Sequence, residues 1–190
     1  MAGIVLLAVF GIATYATHFV RTQAEQKAKL AATPKSIQEA QDTVYRYYQR
    51  TLQDLPEGIE LDNTRSLGAS ATVTACDDNA ADKNNAPASY GDSRALIDHH
   101  STDYPTLITK IGDIWRGWGW KVEQHEGTGA LNRFGHSPDG YELSVTYSPL
   151  DPTATIYANS PCFPGDWTRY SSIPEARTIT KDGPQPSHDK

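Results

Sequence analysis

HSPDGYELSVTYSPLDPTATIYAN, residues 136–159, decides the fold. Asp139-Gly140 between two alternating segments is a hairpin signal, because Asp and Gly tolerate the positive φ that tight hairpin turns require. After that turn Tyr141, Leu143, Val145 and Tyr147 face one way, while Glu142, Ser144, Thr146 and Ser148 face the other. Side chains alternate across a strand, so this pattern predicts one buried and one wet face. Pro149-Leu150-Asp151-Pro152 then turns the chain into Thr153–Asn159, where Ala154, Ile156 and Ala158 point inward. The result is an antiparallel meander that needs a cover on one side only.

Upstream, Ala130–His136 and Lys121–His125 read as two further strands of the same meander. Before them the period changes from two to 3.6. Leu107, Ile111, Ile114, Trp115 and Trp118 form an apolar stripe, opened by Thr102 or Asp103 as cap with Pro105 in the first turn, and closed by Gly119. An earlier helix is predicted over 37–54. Ser36 to Glu39 spells a capping box, and Ile37, Ala40, Val44, Tyr48 and Leu52 follow at helical spacing. Tyr45, Tyr47 and Tyr48 cluster on it, either to pack on a sheet or to form an aromatic contact surface. Ala71, Val73 and Ala75 alternate with polar residues in a first strand, and 89–98 is a second. The expectation is an α+β domain at 36–167, with two helices on one face of a mainly antiparallel sheet of about 5 strands. Residues 168–190 are poor in apolar side chains and read as a disordered tail.

The other informative stretch is Ala2 to Val20, a run without charge. At ~1.5 Å per residue such a helix spans about 28 Å, close to the hydrocarbon thickness of a bilayer. A single transmembrane helix at 2–20, followed by a polar juxtamembrane stalk at 21–35, is therefore expected. Gly3, Gly11, Tyr15 and His18 lie roughly along one face of it, which makes Gly11 and Tyr15 candidate contacts to a membrane-protein partner. Arg21, Lys27, Lys29 and Lys35 follow the span, and the positive-inside rule alone would hold the domain in the cytoplasm as a regulator. Cys76 and Cys162 argue the other way. Two well-separated cysteines with no second pair make a poor metal site and a plausible disulfide, with two buried thiols as the alternative. On chain-entropy grounds, closing a loop of roughly 85 residues stabilises by about 4–5 kcal/mol. The reading adopted is a single-pass protein of the cell membrane with its domain on the extracytoplasmic side.

The 190 residues carry a formal net charge of -6, so the basic footprint of a nucleic-acid binder is missing. Asp98-His99-His100-Ser101-Thr102-Asp103 is dense in metal-ligating types, but adjacent histidines on a strand point to opposite faces. Asp77 to Asn85 lacks the alternation of a calcium loop, since Ala81 and Lys83 interrupt it. There is no G-x-S-x-G, no phosphate-cradling glycine motif and no C-x-x-C. No catalytic residue, metal or cofactor is assigned. An enzyme or ligand-binding protein acting on cell-wall or lipid substrates is the rival reading, with His99, His100, Asp103 and His136 as the groups to inspect. Trp167, in a Pro-Gly-Asp loop beside Cys162, and Phe163 are candidate contact residues, together with Tyr47.

A Tyr-rich first helix, Cys76-Asp77-Asp78 at a strand end, Trp115 to Val122 (WRGWGWKV), the Pro-Asp-Gly hairpin and Ser160-Pro161-Cys162-Phe163 occur in this order. Over about residues 37–165 this set resembles a group of small actinobacterial cell-envelope proteins, mostly lipoprotein-like, with one disulfide in an α+β domain. The resemblance implies a place outside the membrane and no established activity, and it brings no catalytic residues. This chain departs from the group in having no lipid-bearing N-terminal cysteine. The implied role is a non-catalytic accessory domain that binds a membrane-protein partner or an envelope component, with the lipid bilayer as its tether.

Overall fold

Each helix is started and stopped by its own sequence. In the computed structural model, α1 spans Ile37–Gln53, and Ser36 caps it by accepting from the Glu39 amide at 3.1 Å. The Glu39 carboxylate reaches back to the Lys35 amide at 2.9 Å, one residue earlier than a capping box usually does. Helix α2 spans Tyr104–Gly117, with Asp103 accepting from the Thr106 amide and Pro105 in its first turn. It ends in a Schellman arrangement. Gly119 sits at φ 80°, its amide donates to Arg116, and the Trp120 amide donates to Trp115. The structure describes residues 33–65, 70–76, 86–100, 103–126, 129–164 and 174–185. The chain divides at Thr33/Pro34, and the elements described here all belong to the second unit.

Among the described residues nine strands form one antiparallel sheet: β1 Ile59–Asp62, β2 Ala71–Ala75, β3 Ala88–Asp98, β4 Lys121–Glu123, β5 Leu131–His136, β6 Glu142–Ser148, β7 Asp151–Asn159, β8 Thr178–Thr180 and β9 Gly183–Gln185. Eight follow in the order β4-β5-β6-β7-β3-β1-β8-β9, and β2 pairs with β3 off this path. The long strand β3 organises it. One edge pairs with β7 over Gly91–Leu96. The other edge is shared, with β2 opposite Ala88–Asp92 and β1 opposite Ala95–Asp98.

The registers place Arg94, Ile156, Val145 and Arg133 in one row, and Asp92, Ala158, Leu143 and Gly135 in the next, on the same face. Both helices cover that face, α1 over β1, β3, β8 and β9, and α2 over β4, β5 and β6. Tyr48, Leu52, Ile108, Ile111 and Trp115 are wholly buried between helices and sheet. Gly135 is a close-approach position, because a Cβ there would lie 2.7 Å from the Trp115 ring. The opposite face carries Ser93, Tyr157, Ser144 and Phe134 in one row, and neither α1 nor α2 covers it.

This architecture corrects the expected one. The sheet has nine strands where about five were expected. Among the described residues no helix is long and apolar enough to cross a membrane, and the expected span 2–20 lies outside the described residues. Residues 174–185, read as part of a disordered tail, instead supply β8 and β9. Strand β8 contributes a single core side chain, Ile179, and joins the sheet through pairing with β1. Gln49 on α1 donates to the Lys181 carbonyl at 3.0 Å, and Lys181 pairs with Glu57 at 2.7 Å.

A disulfide joins Cys76 to Cys162, with Cα atoms 6.3 Å apart. It spans the start of β3. The Cys76 amide donates to Pro87, and Ala88 and Phe163 exchange both backbone hydrogen bonds. Replacing both cysteines with serine is expected to cost about 2–5 kcal/mol, read as a lowered midpoint in urea unfolding. Deleting residues 174–190 is expected to abolish the cooperative transition seen by near-UV circular dichroism, whereas a true disordered tail would be removed without effect.

Candidate functional site

Two polar constellations stand out on the helix-covered face. The first is internal. On β3, Tyr90, Asp92 and Arg94 point toward α1 and are fully buried. Arg94 grips Asp92 with a fork, Nε to Oδ1 at 2.7 Å and Nη2 to Oδ2 at 3.0 Å. Nη2 also donates to the Tyr45 hydroxyl at 3.0 Å, and Nη1 donates to the carbonyls of Ala176 at 2.9 Å and Arg177 at 3.4 Å. All five guanidinium N–H groups thus have an acceptor. Gln41 extends the network to the Tyr45 and Tyr90 hydroxyls and the Pro174 carbonyl. Burial pushes the Asp92 carboxyl up, against the pull of Arg94 and its hydrogen bonds. Burial also opposes the Arg94 charge, and Asp92 more than offsets it, so the guanidinium stays protonated. The side chains of the network are all buried, and its arrangement is that of a structural clamp.

The second constellation opens outward. Thr43, Arg46, Tyr47 and Arg50 recur at i, i+3, i+4 and i+7, so α1 presents them as one stripe. With Asp139 from the β5–β6 turn they line a cleft of about 250 Å³. Arg46 Nη2 donates to the Thr43 hydroxyl at 2.6 Å. The Arg50 guanidinium lies over the Trp118 ring, 4.1 Å from its centre. Tyr47 donates to Asp139 Oδ2 at 2.7 Å, and Ser137 donates to the other oxygen. Tyr47 packs edge-on against Trp120 and Tyr141. Burial first, then the neighbouring Asp139, pushes the Tyr47 phenol up, so it works as a hydrogen-bond donor at any ordinary pH.

A third cluster lies on the sheet face away from the helices. His125 and His136 each place Nε2 3.8 Å from Glu123 Oε2, and His136 Nδ1 is 3.2 Å from Glu142. The Lys121 ammonium beside Glu123 holds that carboxyl below its ordinary range. Among the described residues no three His, Cys, Asp or Glu side chains are grouped to hold a metal ion.

The predicted site residues separate accordingly. Cys76 and Cys162 are joined. Phe163, expected as a contact residue, is fully buried because its backbone pairs with Ala88 and turns the ring into the core. Tyr47 lies in the cleft. Trp167, Tyr15 and Gly11 lie outside the described residues. Of the groups named for an enzyme, His99 pairs with Glu60 at 3.0 Å, the His100 ring lies against Gly58, and Asp103 caps α2. His136 stands on β5, with β6 and β7 between it and β3. The structure does not bring these four together. Sequence reasoning passed over Arg46, Arg50 and the Asp92–Arg94 pair. No protein family, curated protein or solved structure matches this chain.

The two buried arginines make a contrast that experiment can read. Arg94 is fully paired, whereas among the described residues Arg133, 8% exposed, has an unpartnered Nε and bonds to the Asn132 carbonyl and, at 3.5 Å, to Thr109. Arg94→Met leaves Asp92 buried and alone, and is expected to cost about 3–5 kcal/mol. Arg133→Met removes a charge that lacks a carboxylate partner, and is expected to be neutral or stabilising by thermal denaturation.

Proposed function

We propose that this protein is a non-catalytic binding module on the extracytoplasmic side of a cell membrane. It is tethered through its uncharged segment 2–20 and contacts a membrane-protein partner or an envelope component. The observation that carries the reading is the α1 cleft, where two arginines, a tyrosine and an aspartate surround about 250 Å³ at the surface. That volume lies below the ~300–1,000 Å³ of pockets that enclose a drug-sized ligand, and suits one headgroup or one residue of a larger partner. The Cys76–Cys162 bridge supports the location, because such bonds persist in oxidising compartments. The resemblance to small actinobacterial envelope proteins supports the same side of the membrane.

Sidedness and the bridge are tested together by a membrane-impermeant thiol reagent on intact cells. The chain has two cysteines, so the readout is unambiguous. The expected result is no labelling without reductant and labelling of both cysteines after it. Labelling that requires cell lysis would overturn the extracytoplasmic placement.

A further inference from the structure

We propose that the α1 cleft recognises a saccharide unit bearing an anionic group, phosphate or carboxylate. This rests on the binding-module reading and names its ligand class. The first argument is the state of the two guanidinium groups. Arg46 and Arg50 lie one helical turn apart, and neither makes an ion pair with a carboxylate among the described residues. The acidic neighbours at helical spacing contact other groups. Asp42 accepts from Gln38 at 2.9 Å, and Asp54 accepts from the Trp118 indole at 3.3 Å. Arg46 is steadied by Thr43 and Arg50 by the Trp118 face, so both present N–H edges with their orientation already set.

The second argument is Asp139. A bare anion in this cleft would meet its carboxylate. Yet that carboxylate already accepts from Tyr47 and Ser137, and a carboxylate offers about four lone-pair positions, so it retains room for hydroxyl donors. A ligand that carries both an acid group and neighbouring hydroxyls satisfies the arginines and the aspartate at once. A neutral sugar leaves the arginines unanswered, and inorganic phosphate is repelled by Asp139. With two cations and one anion, the lining carries a net positive charge and favours an anionic ligand. The cleft volume of about 250 Å³ accommodates one sugar ring with its substituent.

The test is a titration of the full chain in mild detergent, followed by amide and side-chain NMR shifts, with four probes: glucose 6-phosphate, glucuronate, glucose and inorganic phosphate. The expected result is saturable shifts at residues 43–50, Trp118 and 137–141 with one or both acid sugars, at least tenfold tighter than glucose or phosphate. Which acid sugar binds better identifies phosphate or carboxylate as the natural group. Arg46→Gln with Arg50→Gln, both at exposed positions, should weaken acid-sugar binding at least tenfold while leaving the spectrum folded. Asp139→Asn should narrow the preference for acid sugar over inorganic phosphate. Equal binding of all four probes, no shift at these residues, or binding indifferent to the arginine pair would overturn the proposal. The thiol-labelling result is independent of these outcomes, so a failed ligand assignment is distinguishable from a failed placement of the domain.

Discussion

Arg94 holds Asp92 inside the protein, and this buried fork sets conditions that three separate parts of the chain must meet. A guanidinium in a low-dielectric interior is tolerated only when its charge is matched and its donors are occupied. Two of the five N–H groups are answered by Asp92 on the same strand face. A third requires Tyr45, which places α1 across β3. The remaining two require the carbonyls of Ala176 and Arg177, which bring the C-terminal segment back over the sheet. Tyr45 closes the circle, since its hydroxyl also receives the Ala176 amide at 3.3 Å. An apolar core of equal volume would pack as well, but it would not specify where a segment with so few apolar anchors, Ala176 and Ile179 among them, must lie. The polar cluster functions as an address for α1 and for β8.

That dependence explains which parts of the fold were legible. Helices α1 and α2 announce themselves through caps and apolar stripes, and β6 through strict alternation after Asp139-Gly140. In those elements local preference and tertiary placement agree. Strands β1, β8 and β9 are three or four residues long, and β9 contains Pro184, so no period can be read from them. Their order comes from backbone pairing and from the carbonyls that Arg94 requires. Strand β3 was readable as a strand but not as a charged core, because Tyr90, Asp92, Arg94 and Leu96 alternate with small residues in a way that suits either face. The burial of Phe163 is hard to read from sequence for a related reason. Its neighbours Pro161, Pro164 and Gly165 look like a surface loop, while the bridge to Ala88 is a long-range contact.

The cleft was half legible. Tyr47 stood out as one of three clustered tyrosines. Arg46 and Arg50 did not, since Asp42 and Asp54 stand at helical spacing from them and suggest ordinary solvated pairs of small worth. The structure breaks both pairs by giving the acids other partners, Gln38 for Asp42 and the Trp118 indole for Asp54. The indole is available only because α2 terminates at Gly119 and turns Trp118 toward α1. A local helix stop thus places an aromatic ring that contacts both an acid and a cation of a different helix.

The same reasoning bears on how rigid that surface is. Helix α1 is tied at its start by Ser36 and Glu39, at its middle by Tyr45 and Tyr48 to β3, and near its end by Gln49 to the Lys181 carbonyl. The disulfide secures the start of β3 and the C-terminal segment secures the region beyond Asp92. Opposite α1, the Ser137 hydroxyl fixes the hairpin turn through Asp139 and the Tyr141 backbone. Both walls of the cleft therefore stand on clamped elements, and the flexible arginine stems are steadied at their tips. Side-chain ordering costs roughly 0.5–1.5 kcal/mol per immobilised group on association, and here much of it is met before any ligand arrives. A small ligand with few contacts depends on that prior ordering more than a large one does. This is the physical reason to look for a compact charged group at this position rather than an extended protein interface.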